Sequence, residues 1–192
     1  ALSGVAYGGG LFAACGANGT VLTSPDGLAW TNRSPGVSYT FSCMTYRDGL
    51  FLAAGSSGKT LQSTDGETWN LRYTGISTWY YGAAINDTCM LAAGANGIIA
   101  TSTDGITWTR AGESYADNLE DIDYGAGRFV AVGWPNGIIM SSADGAAWEE
   151  QESGTSESLS GLVYGNGLFV ACGSGAAILT SPDGVNWTPS AM

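Results

Sequence analysis

Carboxylates are the groups through which this chain could do chemistry, because its 192 residues include no histidine, a single lysine and a net charge of −11. Without an imidazole, general acid–base catalysis has to run through Asp and Glu. The densest group is Glu120, Asp121 and Asp123. On a strand, Asp121 and Asp123 point the same way and, with carbonyl help, could hold a cation such as Ca²⁺. The alternative is a solvated acidic strand. Cleaving a glycosidic bond takes two carboxyls about 5–10 Å apart on either side of it. One acidic segment does not supply that pair, so no catalytic residue is assigned and no cofactor beyond the possible cation is expected.

The aromatic residues offer a different chemistry. Indole and phenol rings stack on the C–H faces of sugars while amides bond the hydroxyls, and Tyr39, Trp79, Tyr115 and Trp134 with Asn118 and Asn136 suit a glycan. Each aromatic could instead fill a gap in the interior. Trp134, next to Pro135 in the only insertion of a repeating pattern, is the residue most readily expected at the surface.

That repeating pattern is what must position these side chains. Ser-x-Asp-Gly-x-x-Trp occurs five times, with its aspartates Asp26, Asp65, Asp104, Asp144 and Asp183 separated by 39, 39, 40 and 39 residues. Asp-Gly between β-forming runs is a hairpin signal, and the Ser and Asp side chains can tie the turn to its own backbone. A second landmark, Tyr7, Tyr46, Ile85, Tyr124 and Tyr164, precedes each box at nearly constant distance. Between the landmarks lie a Gly-rich turn and a continuous apolar run such as Leu50 to Gly55. Each unit therefore reads as four short antiparallel strands, the blade of a β-propeller.

The predicted fold is all-β, a single five-bladed propeller over residues 1–192, with blades at about 1–40, 41–79, 80–118, 119–158 and 159–192. The chain opens on a first strand and closes after a fourth, so packing of blade five on blade one is expected to complete the ring. Antiparallel order puts the boxes on one face. The blade-to-blade connections and the turns between second and third strands, with the aromatics, lie on the other. A rigid frame with one variable face is a usual layout for a binding site.

The five boxes resemble the Asp-box, or bacterial neuraminidase repeat, along the whole chain. The resemblance implies that Asp26, Asp65, Asp104, Asp144 and Asp183 are structural, closing the turn between third and fourth strands. It does not carry over the sialidase site. The arginines do not form the expected triad, since Arg47 falls in a first turn and Arg128 at the start of a second strand, and the Arg-Ile/Leu-Pro motif is missing. The stretch Tyr164 to Gly173 is similar to repeats of bacterial secreted and phage structural proteins, which implies an extracellular or virion-associated setting.

Composition narrows the partners. The acidic balance disfavours nucleic acid, and no apolar run is long enough for membrane insertion as a helix. Cys15, Cys43, Cys89 and Cys172 lack metal-type spacing and are expected to be small buried hydrophobes. The resulting expectation is a non-enzymatic recognition module for a glycan or cell-surface receptor. The alternatives are a protein-binding or assembly module, including a virion component or an amplified repeat array, and a glycoside hydrolase.

Overall fold

The computed structural model describes residues 1–112 and 117–190. These form five four-stranded antiparallel sheets, each in sequence order from its first strand to its fourth. First strands run Leu2–Gly8, Phe41–Arg47, Tyr80–Ile85, Asn118–Gly125 and Leu159–Gly165. Second strands are Leu11–Gly16, Leu50–Gly55, Met90–Gly94, Arg128–Trp134 and Leu168–Gly173. Third strands are Val21–Ser24, Lys59–Ser63, Ile99–Ser102, Ile139–Ser142 and Ile178–Ser181, and short fourth strands follow each box Trp. The architecture is an all-β propeller of five blades.

Each box builds its turn from its own side chains. The buried Ser Oγ accepts the N–H of the box Gly at 2.8–2.9 Å and donates to Asp Oδ1 at 3.0–3.1 Å. The same Oδ1 accepts the next two backbone N–H groups at 2.7–3.0 Å. Those N–H groups hold the box carboxylates below their usual pKa, to about 2 for Asp65 and Asp104. In blades one to four the box Trp donates to the Gly carbonyl at 3.1–3.3 Å, which in blades two to four fixes the ring against the preceding blade.

The apolar second strands of blades two to four are covered on both faces because the core lies between blades. Four separate clusters join blades one and two around Phe41, Leu61 and Trp69, two and three around Leu52, Tyr80 and Trp108, three and four around Leu119, Phe129 and Trp148, and four and five around Leu159, Phe169 and Leu179. Among the described residues no such cluster joins blade five to blade one. First strands of successive blades pack closely from blade one to blade five, without a matching contact back to the start. The expected ring closure is not found, and Cys172 of blade five is accordingly exposed where a buried thiol was expected. Cys15, Cys43 and Cys89 do lie inside or partly inside, with burial pushing the Cys15 thiol up to about 12.

Candidate functional site

Every first strand carries a register shift near its start, between Leu2 and Gly4, Phe41 and Cys43, Leu119 and Asp121, and Leu159 and Gly161, with the equivalent step at Tyr80 to Gly82. A bulge leaves one residue unpaired and re-aims its side chain. The residues so released are Ser3, Ser42, Tyr81, Glu120 and Ser160, and all five line one cavity of about 340 Å³ on the central axis. The repeat thus delivers one side chain per blade to a common, mostly hydroxyl-bearing cavity.

Two of the expected aromatics are tied to this set. Trp79, at the end of the connection into blade three, donates its indole N–H to Ser42 Oγ at 2.6 Å. Trp134, closing the second strand of blade four, donates to Glu120 Oε1 at 2.5 Å. Both rings remain open to solvent, at 44% and 46% exposure. Each indole is held by one edge on a cavity-lining residue while nearly half of the residue stays exposed, and Tyr81 belongs to the blade between them.

The other expected residues fall differently. Tyr39 is half-buried against the core of blades one and two, with the Lys59 ammonium 5.3 Å from its ring centre, so it serves packing. Asn118 accepts the backbone N–H of Asn96 at 2.8 Å and ties the turn of blade three to the start of blade four. Asn136 is exposed at φ 67° in the insertion, free of that kind of structural duty. Tyr115 lies outside the described residues.

Asp121 and Asp123 do point the same way, but into blade five. Asp121 Oδ2 accepts the backbone N–H of Leu162 at 2.9 Å, and Asp123 Oδ2 that of Tyr164 at 2.7 Å. Their Oδ1 atoms accept from Ile122 and Tyr124, one residue on in each case. Burial raises both carboxyls, Asp121 to about 6, against the lowering effect of these N–H groups. The pair is a backbone-to-backbone bridge between blades, and no group of three or more possible metal-ligating side chains occurs among the described residues. Glu120 and Asp121 are the cavity's acidic lining residues. They are neighbours on one strand, an arrangement unlike two carboxyls facing each other across a bond.

Apart from Glu120, the bulge residues were not legible as a site. Ser3, Ser42 and Ser160 look like ordinary strand residues, and their common position in the repeat was the one available signal.

No protein-family profile matches the chain, and no curated protein sequence matches it. Solved structures share its fold. YCF48 bound to D1 peptide aligns at TM-score 0.72 and 16% identity, over 98% of this chain and 66% of that one. The computationally designed Ika8 protein aligns at 0.74 and 12%, over 94% of this chain and 57% of that one. The WD40 β-propeller domain of Doa1 aligns at 0.75 and 14%, over 100% of this chain and 69% of that domain. At such identities the likeness establishes a β-propeller fold. The chain spans about two-thirds or less of the first two structures' lengths.

Proposed function

We propose that this propeller is a non-enzymatic recognition module that binds carbohydrate at the mouth of this central cavity, here called the channel mouth, beside Trp79 and Trp134. The observation that carries this reading is the pair of indoles pinned through their N–H groups to Ser42 and Glu120, with nearly half of each residue exposed. A pinned ring loses little freedom when a sugar stacks on it, so binding costs less ordering entropy. The hydroxyls of Ser3, Tyr81 and Ser160 and the carboxylate of Glu120 are polar partners within the same cavity. The five boxes are read as Asp-boxes with a purely structural role. Support for that role comes from the Ser and Asp hydrogen bonds, which are spent inside the turn.

A second reading, recognition of a protein segment, draws on the fold shared with YCF48, whose structure holds a D1 peptide. The acidic charge of this chain would favour a basic partner. A glycan array probed with the tagged protein tests the first reading. Hits should weaken at least about tenfold in Trp79→Ala and Trp134→Ala, in line with loss of an aromatic contact, while both variants melt as the parent does. An array blank with folded protein removes the carbohydrate reading. Peptide capture lost in the same two variants would keep the site and change its ligand.

A further inference from the structure

The two ends of the blade series present uncovered interfaces. Leu2, Val5 and Tyr7 of blade one are 52%, 64% and 59% exposed, whereas Phe41, Met44, Tyr80, Ala83, Leu119, Ile122, Leu159 and Leu162 at the first two of those repeat positions are buried. Trp30 is 41% exposed, against the buried Trp69, Trp108 and Trp148. Together with Ala14 and Leu22, Leu2, Val5 and Trp30 line an apolar hollow of about 480 Å³ to which only blade one contributes. On blade five, Val163, Cys172 and Ile178 are exposed, although Cys15, Ala54, Ala93 and Val132 are fully buried at the position of Cys172.

The chain itself shows what covers such faces, because it contains the same interface four times. In each, the landmark face of one blade meets the opposite face of the blade before it. The close fit is visible at the end of the first strand. A Cβ on Gly8 would fall 1.8 Å from the Tyr46 ring, and one on Gly125 2.0 Å from the Tyr164 ring. Gly165, at the same place in blade five, has nothing within 4 Å. It is a notch of the kind that takes a landmark Tyr, left unfilled. Tyr7, at the other end, is a landmark Tyr without its notch.

The five blades also cover only 69% of the Doa1 propeller domain and 66% of the YCF48 chain, and the uncovered part of the Doa1 propeller is roughly two units long. From these observations we infer that the gap between blades five and one takes about two further blades of the same repeat, joined in line to this chain. The first presents a landmark aromatic to Gly165 and covers Cys172. The last presents a small-residue face, like Ala13 with Cys15, to Val5, Tyr7 and Trp30. A whole second copy does not fit a gap of this size, since five more blades at the same spacing would overrun blade one.

The test lengthens the chain by one or two units, appending a second copy of residues 36–73 or of 36–112 after Met192. Three readouts follow: reaction of Cys172 with a thiol reagent in a Cys43→Ser background, binding of a hydrophobic dye, and sedimentation. In the 192-residue chain Cys172 should react freely and dye should bind. The two-unit extension should stay monomeric, lose dye binding and protect Cys172 about 100-fold, as expected when a site opens only by local unfolding. Tyr7→Ser should leave the melting temperature of the short chain unchanged and lower that of the two-unit chain.

Several outcomes overturn the inference. One is a two-unit chain that still binds dye and labels at the short-chain rate. Another is a 192-residue monomer that already protects Cys172, which would mean that it closes on itself. A third is reversible association of the 192-residue chain that buries Cys172 and is abolished by Tyr7→Ser, which would make a second copy the occupant.

Discussion

Asp123 of blade four accepts the backbone N–H of Tyr164 in blade five at 2.7 Å, and Asp121 repeats the contact with Leu162 two residues earlier. Two acidic side chains thus stand in for backbone carbonyls between first strands that share no ladder. At blades one and two the position corresponding to Asp121 is Gly4, whose missing side chain lets Cys43 and Met44 approach directly. One interface is closed by a side chain and the other by the lack of one.

The burial of this bridge makes stability pH-dependent. Burial raises Asp121 from the ordinary value of 3.8 to about 6 in the folded protein. An acid raised on folding contributes stability that is fully present below its unfolded pKa and is lost as pH rises through its folded one. Denaturant unfolding should therefore show stability falling between about pH 4 and about 6, with at most about 3 kcal/mol of the fall due to Asp121. Asp121→Asn, which mimics the protonated form, should shrink this step to the part carried by Asp123.

The box aspartates act in the opposite sense at lower pH. Their carboxyls are lowered by backbone N–H groups, so their contribution is present above an unfolded pKa near 3.8 and is lost as pH falls toward about 2. An acid titration should destabilise the parent below about pH 4. Within a box, Ser142→Ala strands the buried Gly145 N–H and removes the donor to Asp144. It should cost about 1–3 kcal/mol by urea unfolding.

Equivalent tryptophans should differ in worth. Trp108→Ala empties a packed site between blades two and three and should cost about 3–5 kcal/mol. Trp30→Ala removes a ring that is 41% exposed and should cost about 1 kcal/mol. Equal costs in urea unfolding would mean that blade one is covered in solution.

Chelation should not matter to binding. Asp121 and Asp123 each have both oxygens engaged by backbone N–H groups. Any ligand captured at the channel mouth should bind with the same affinity in EDTA as in millimolar Ca²⁺, measured by calorimetry.

The parts of this structure that repeat were legible in the sequence, and the parts that depend on what lies across an interface were not. Asp26 and its four counterparts stand at fixed spacing, and the turn each makes is local, so their residue types suffice to read it. Trp134 stood out because it lies in the only insertion, and Trp79 because it is an aromatic in a connection between blades. The release of Ser42 and Glu120 into the channel depends on a bulge that no residue type marks. The role of Asp121 depends on the register of blade four against blade five. The exposure of Tyr7 could not be read either, since Tyr7, Tyr46 and Tyr164 are alike in sequence and differ only in whether a blade precedes them.

The most direct test of the recognition site is a fluorine spectrum of the protein labelled with 5-fluorotryptophan, whose seven indoles give seven assignable resonances. It is titrated with the glycan that binds best on the array. The resonances of Trp79 and Trp134 should move together with one saturation curve, while Trp30, Trp69, Trp108, Trp148 and Trp187 stay in place. Movement of Trp30 with Trp79 and Trp134 fixed would put the ligand on the uncovered face of blade one and contradict a site at the channel mouth.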